Sequence, residues 1–252
     1  MSDATPDELI IATAAAELAG VRTVFVGIGL PNAAANLART SVAPDLELIY
    51  ESGVVGARPT RLPDSIGDPA LVSGSAATIS MRDLFGGFLQ GGRIDVGMRV
   101  AAQIDRWGNL NTTVIGPYEN PSVRLPGSGG ACEIALNARR VVVVMKQLRR
   151  SFVERVDFVT SPGHHRPDGS GARPAWAGAG PTALVTQLGV YHFGADGEMQ
   201  LAALQPGVDE ATVDAGTGWP LRRAPSVALL REPSASTLAT IRRMLDGGTR
   251  NW

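Results

Sequence analysis

Cysteine is almost missing from this chain, and Cys132 is the only one. A single thiol excludes an internal disulfide and any zinc cluster built on paired thiolates. A reducing compartment is the simpler setting for such a chain. Long apolar runs are missing too. No stretch approaches the roughly 18 residues of a membrane span, and residues 141–145 have the length of a buried strand. Charge of one sign is also missing. Lys plus Arg come to 23 against 24 Asp plus Glu, a formal net charge of −1, whereas a nucleic-acid surface needs a basic stripe to meet phosphate. Residues 1–9 are acidic and lack the basic opening of a signal peptide. These absences predict a cytoplasmic chain that engages neither membrane nor nucleic acid.

Core material and turns are what the chain has. With 252 residues, 44% of them hydrophobic, it holds enough apolar side chains for a sizeable core. Its 30 glycines and 17 prolines mark tight turns rather than disorder, because the apolar share stays high. There is no internal repeat and no linker composition, so residues 1–252 read as one domain.

Residues 6–19 predict an amphipathic helix with Thr5 as N-cap, Pro6 in the first turn and Gly20 at the end. The β-branched run 21–26 predicts a strand. It runs into the turn Gly27-Ile28-Gly29-Leu30-Pro31, and an alanine-rich helix follows over 32–39. Residues 46–50 predict a second, parallel strand, completing a βαβ unit. Further helices are expected over 79–89, from Gly130-Ala131 to 137, and over 234–245, with Gly247-Gly248 as the stop. Further strands are expected over 95–101, 139–146, 182–190 and 190–193, with a hairpin turn at 194–197, and residues 162–180 have the composition of an exposed loop. Alternating strands and helices predict an α/β fold with a mainly parallel open sheet covered by helices on both faces.

Glu51 stands out because it directly follows an apolar run and precedes Ser52-Gly53. A carboxylate at the carboxyl end of a buried strand sits where open α/β sheets keep their sites. The same placement also fits a solvated cap or half of an ion pair. Gly27-Ile28-Gly29 has the look of a dinucleotide turn, but position 32 is asparagine where the Rossmann fingerprint wants glycine. Pro31 also removes a donor that a phosphate cradle would use. Gly127-Ser128-Gly129-Gly130 before a helix offers outward N–H groups to an anion or oxyanion, or simply permits close packing. No metal-ligand spacing surrounds Glu51. His164 and His165 read as surface residues, and His192 as structural. Cys132 near a helix start is placed where a thiol pKa can fall, or as a small core residue. Arg58 and Arg61 suit either a distal substrate carboxylate or the solvated surface.

Six motifs in order resemble the family I coenzyme A transferases, in particular their β-subunits. They are Gly27-Ile28-Gly29-Leu30-Pro31, Glu51-Ser52-Gly53, Ser65-Ile66-Gly67-Asp68, residues 103–111 (QIDRWGNLN), Gly127-Ser128-Gly129-Gly130-Ala131, and residues 156–163 (VDFVTSPG). The likeness runs over about residues 8–220. It implies that Glu51 attacks an acyl-CoA thioester and then carries CoA as a glutamyl thioester, with ping-pong kinetics. It implies oxyanion donors at Asn36 and at the amide of Gly129 or Gly130, and CoA contacts at Gly27, Gly29, Gly127 and Gly129. Coenzyme A is then substrate and product, with no tightly bound cofactor and no metal. An α-subunit of similar fold is the implied partner, in an αβ or α2β2 assembly acting on a dicarboxylate or 3-oxoacid. Some members lack the glutamate and act as decarboxylases or C–C hydrolases, so retention of Glu51 favours transfer. Gln187 stands where many relatives carry an acid.

Overall fold

The computed structural model describes residues 3–246, so the expected stop at Gly247-Gly248 lies outside the described residues. Helix α1, Pro6–Ala16, opens as expected. Thr5 Oγ1 accepts from the Glu8 amide at 3.3 Å, and Glu8 Oε2 accepts from the Thr5 amide at 2.7 Å. This reciprocal cap satisfies two donors that a helix start otherwise leaves unpaired. The helix ends three residues earlier than expected, in a turn that closes on Gly20 at φ +74°.

Strand β1 (Thr23–Phe25), helix α2 (Leu30–Arg39) and strand β2 (Glu47–Ile49) form the expected βαβ unit, with β1 and β2 parallel. Short strands β3 (Val54–Val55) and β4 (Ala77–Thr78) then extend the sheet in antiparallel fashion. Residues 79–89 were expected to form an α-helix, but Asp83–Leu89 is a π-helix. The Gln90 amide reaches back to the Phe85 carbonyl, and Gly86-Gly87 supply none of the side-chain packing that holds the tighter pitch.

After β5 (Val96–Arg99) come two small hairpins, β6 (Gln103–Ile104) with β7 (Leu110–Asn111) and β8 (Val114–Ile115) with β9 (Val123–Arg124). Helix α3 (Ala131–Asn137) leads into β10 (Arg140–Val144), β11 (Pro181–Val185), β12 (Gly189–Phe193) and β13 (Met199–Leu204). The chain closes with α4 (Glu210–Ala215), β14 (Arg222–Leu229) and α5 (Ala235–Leu245), the last capped by Ser234. The main sheet runs β14-β13-β12-β11-β10-β5-β1-β2-β3-β4. Its centre, β11-β10-β5-β1-β2, is parallel throughout, and the antiparallel pairs lie toward its flanks.

Side chains alternate between the two faces of this sheet, as a pleated backbone requires. Val24, Leu48, Val96, Met98, Val142 and Val144 pack on one side with residues of α1, α2 and α5. Phe25 and Ile49 face the other way, against Leu84, Leu89, Ile134 and Ala138. On that second face Gly97 lets α3 close in, because a Cβ there would sit 2.5 Å from Ile134 Cγ2. Among the described residues no helix is long and apolar enough to cross a membrane.

The segments 103–111 and 156–163 turn out to be one structural knot. The Asp105 side chain is fully buried and accepts from the Trp107 and Asn109 amides and from Asn109 Nδ2. Asn109 in turn donates to the His165 carbonyl and accepts from the Gly163 amide. Burial pushes the Asp105 carboxyl up to about 6, although these hydrogen bonds pull the other way. An acid raised above its unfolded value of about 3.9 binds more protons when folded, so its contribution to stability is full below about pH 4 and lost as pH rises through about 6. The stability of the wild type relative to Asp105→Asn therefore falls between about pH 4 and pH 7, by up to about 3 kcal/mol. Urea unfolding of both proteins across that range measures it, and parallel pH profiles would refute a buried acid at this position.

The loop 162–180 is irregular as expected but not free. Arg173 donates to the carbonyls of Pro162, Gly163, Gly178 and Ala135, tying the loop to the end of α3. Gln187 bridges the main chain of Gln147 in both directions, each bond at 2.8 Å. A carboxylate at 187 could accept one of these bonds but not donate the other.

Candidate active site

Glu51 lies two residues past β2, in a tight turn. The Tyr50 amide bonds the Val54 carbonyl, the Gly53 amide bonds the Tyr50 carbonyl, and Gly53 takes φ +93°. Consecutive side chains leave on opposite faces. Tyr50 is buried on the α2 side, where its hydroxyl donates to Asn32 Oδ1 at 2.6 Å. Glu51 leaves on the α3 side with 21% of its side chain exposed.

Three features surround that carboxylate. The first is Arg99, whose Nη1 lies 3.6 Å from Glu51 Oε1. Strand register brings them together: Phe25 pairs with both Ile49 and Gly97, and Glu51 and Arg99 stand two residues beyond those partners. Alternation therefore aims both at the same face. The Arg99 side chain is only 12% exposed. Burial lowers its pKa, and the Glu51 charge acts to raise it again.

The second feature is the glycine cluster. A Cβ on Gly129 would lie 3.7 Å from Glu51 Oε2, and one on Gly130 would lie 3.3 Å from it and 2.6 Å from Phe85 Cζ. Gly130 caps the short α3, and the N–H groups of Gly129 and Gly130 have no hydrogen-bond partner among the described residues. The third is an open cavity of about 490 Å³ beside the pair, lined by Arg99, Ala101, Thr112, Leu125, Gly127 and Gly129 among others. Its walls are mainly aliphatic, and Arg99 is its one charged lining residue. A carboxylate, a cation and unspent backbone donors thus come together beside a pocket that Arg99 and Gly129 line. That set can stabilise charge developing at a carbonyl under attack.

The other expected residues fall elsewhere. Gly29 takes φ +81° at the start of α2, and a Cβ there would meet nothing within 4 Å. At Gly27 a Cβ would make only ordinary contacts, 3.6 Å to the Met98 carbonyl oxygen and 4.0 Å to Pro31. Gly127, at φ +94°, lines the cavity. Asn36 is not presented to Glu51 in this structure. It is buried on the α2 side, and its amide nitrogen donates to the Asn32 carbonyl and to Asn32 Oδ1 at 3.0 and 2.9 Å. Both amide hydrogens are thus occupied, and the side chain serves the network that anchors Tyr50.

Arg61 does not await a substrate either, since it makes a two-pronged bond to Asp68 at 2.8 and 2.9 Å. The Ala70 and Asp64 amides, together with that fork, hold the Asp68 carboxyl down at about 2. Cys132 is half-buried, and burial raises its thiol pKa, which fits the packing reading rather than a lowered thiol. His164 is half-buried with a ring nitrogen 2.7 Å from the Pro181 carbonyl oxygen, a packing role rather than a free surface position. Among the described residues no three His, Cys, Asp or Glu side chains gather as a metal site.

Residues 8–214 match the model of a protein family described as Coenzyme A transferase. The chain belongs to the coenzyme A transferase family. It is 44% identical over 245 residues to one subunit of the 3-oxoadipate CoA-transferase of Pseudomonas knackmussii, covering 97% of this chain and 94% of the relative. Its fold is similar to the crystal structure of glutaconate coenzyme A-transferase from Acidaminococcus fermentans, with a TM-score of 0.87, 30% identity, and coverage of 96% and 95%. It is also similar to the decarboxylase AibA/AibB, with a TM-score of 0.80, 29% identity, and coverage of 95% and 94%.

Within this family frame, Arg99 is the site residue that sequence patterns did not single out. It lies inside a stretch that reads only as a strand, with no local motif around it. The signal that finds it is register: once β5 is laid parallel beside β1, Arg99 falls level with Glu51.

Proposed function

We propose that this chain is the β-subunit of a heteromeric CoA transferase that moves CoA between an acyl-CoA thioester and a free carboxylate through a glutamyl-CoA thioester on Glu51. The observation that carries this is the convergence of the Glu51 carboxylate, Arg99 and the unpaired Gly129 and Gly130 amides beside one cavity. The attacking Glu51 oxygen forms a C–O bond to the thioester carbon, and the C–S bond breaks to release CoA thiolate. The thiolate attacks the Glu51 carbonyl of the resulting anhydride, which frees the first carboxylate and leaves glutamyl-CoA. The amides of Gly129 and Gly130 are assigned to the oxyanion of each tetrahedral state, where losing one donor typically costs about 10²–10³-fold in rate. Gly27 and Gly29, with Gly127 and Gly129, are assigned to CoA itself.

An α-subunit of the same family completes the site, in line with the 3-oxoadipate relative being named as one subunit of its enzyme. That relative also places 3-oxoadipate, both a dicarboxylate and a 3-oxoacid, first among acceptors to try. Incubating the assembled enzyme with an acyl-CoA and no acceptor is expected to add CoA, less water, to the peptide that contains Glu51. An unmodified Glu51 in active enzyme would refute the covalent route. The likeness to the decarboxylase AibA/AibB supports a second reading, a decarboxylase, and that reading demands product formation with no carboxylate acceptor present.

A further inference from the structure

Arg99 is in an unusual state for a buried guanidinium. Its side chain is 12% exposed, yet it makes no hydrogen bond among the described residues, and its Nε is fully buried without a partner. Buried polar groups are nearly always hydrogen-bonded, and a buried cation without such bonds is costly. Its one electrostatic partner is the Glu51 carboxylate at 3.6 Å, too long for a hydrogen bond. The guanidinium fork is therefore aligned near an anion while nearly all of its donor capacity stays unspent, beside a cavity that it lines. Arginine recognises carboxylates through such a planar fork.

The covalent route assigned above changes this electrostatic balance during turnover, and the following inference rests on that route. When Glu51 becomes a thioester it loses its negative charge, and Arg99 loses its counter-ion. The acceptor must then bring a carboxylate to the Glu51 carbonyl carbon. We infer that Arg99 is the residue that binds the acceptor's reacting carboxylate, and that formation of the Glu51 thioester releases it for that task. In the free enzyme the Glu51 charge occupies Arg99 and an incoming carboxylate meets repulsion. In the charged enzyme the same place attracts it. The step balances without a further reagent: an acceptor oxygen bonds to the Glu51 carbonyl carbon, the C–S bond breaks, and CoA thiolate carries the displaced charge. The thiolate then attacks the acceptor carbonyl, and the returning Glu51 carboxylate recovers Arg99.

The test uses the assembled enzyme charged with succinyl-CoA, with adduct on Glu51 followed by intact mass. Absence of adduct in the wild type would refute the covalent route itself, whatever Arg99 does. With adduct formed, its discharge is timed against succinate, the donor's own acid, and against hydroxylamine, a neutral nucleophile that needs no cation. Arg99→Gln is expected to lower the second-order rate for succinate by about 10- to 100-fold, the worth of a charge-assisted bond. Its discharge by hydroxylamine stays close to wild type, and Arg99→Lys, which keeps the charge but not the fork, falls between the two for succinate. If both nucleophiles slow together, Arg99 only positions Glu51 and the inference is overturned. An unchanged succinate rate overturns it as well. Failure of both variants to charge places Arg99 in the first half-reaction and overturns it too.

Discussion

Replacing Glu51 with glutamine stops CoA transfer, with turnover falling by about 10³–10⁶-fold, the range seen when a covalent nucleophile is removed. Glutamine has nearly the same shape and fits the same turn, so the cavity and the glycine cluster stay in place. What it lacks is an anionic oxygen able to form an anhydride and then leave as a carboxylate. Binding of the thioester is expected to persist, because the assigned CoA contacts at Gly27, Gly29, Gly127 and Gly129 are unaffected. The loss thus falls on turnover at saturating substrate, not on substrate affinity. Glu51→Asp keeps the charge but withdraws it by a methylene, and misplacement on the scale of 1 Å costs about 10²-fold. Steady-state kinetics of the assembled enzyme, with affinity for the acyl-CoA measured by calorimetry, separates these outcomes. Transfer by Glu51→Gln within about tenfold of wild type would remove Glu51 from the chemistry. Such a result would leave the carboxylate as the counter-ion of Arg99.

The central fold was legible in the sequence because local and global signals agree there. The apolar runs around positions 24, 48, 97 and 142 each became a central parallel strand. Their ends came out shorter than expected, since β-propensity continues past the last ladder bond. The flanks were harder. Strands β3 and β4 are two residues each and owe their existence to pairing across a turn, which no residue pattern of that length encodes. Strand β14 is mostly exposed along Arg222–Leu229, so the apolar alternation that marks a strand is absent. The π-helix needed knowledge of which carbonyl Gln90 would find, a tertiary outcome.

The site divided in the same way. Glu51 and the Gly129-Gly130 pair carry local signals and meet in space. Arg99 carries none, because its meaning depends on β5 lying next to β1 and on β1 lying next to β2. Asn36 shows the reverse case. The family resemblance pointed to it, yet Tyr50 and Glu51 leave the strand end on opposite faces, and the α2 side belongs to Tyr50. Of the six family-like segments, at least two are framework. The knot around Asp105 fixes the hairpin from which Ala102 and Thr112 line the cavity, and the Arg61–Asp68 fork holds the chain beyond β3.

The turn that presents Glu51 is also where a single methyl group is expected to do large structural damage. Gly53 has φ +93°, a left-handed value that costs an L-residue roughly 1–2 kcal/mol. Space is the larger obstacle. A Cβ on Gly53 would overlap the Ile79 carbonyl oxygen outright and lie 3.2 Å from the carbonyl carbon. Neither backbone can yield freely, because the Gly53 amide bonds Tyr50, and the Ile79 amide bonds the Gly53 carbonyl at 2.9 Å. Relief means pulling the segment after β4 away from the turn after β2, which breaks that bond and loosens the β3–β4 edge. Gly53→Ala is therefore expected to destabilise the assembled enzyme by about 3–5 kcal/mol, and to lose transfer because the Glu51 turn moves with it. Gly29 provides the internal control. Its φ of +81° is just as left-handed, but a Cβ there would meet nothing within 4 Å. Gly29→Ala should then show the backbone strain alone, roughly 1–2 kcal/mol. Urea midpoints of the two variants, measured side by side, isolate the contact from the conformation. Equal shifts would mean that the approach of Ile79 to Gly53 is relieved at no cost, and that the rigidity of the Glu51 turn has another source.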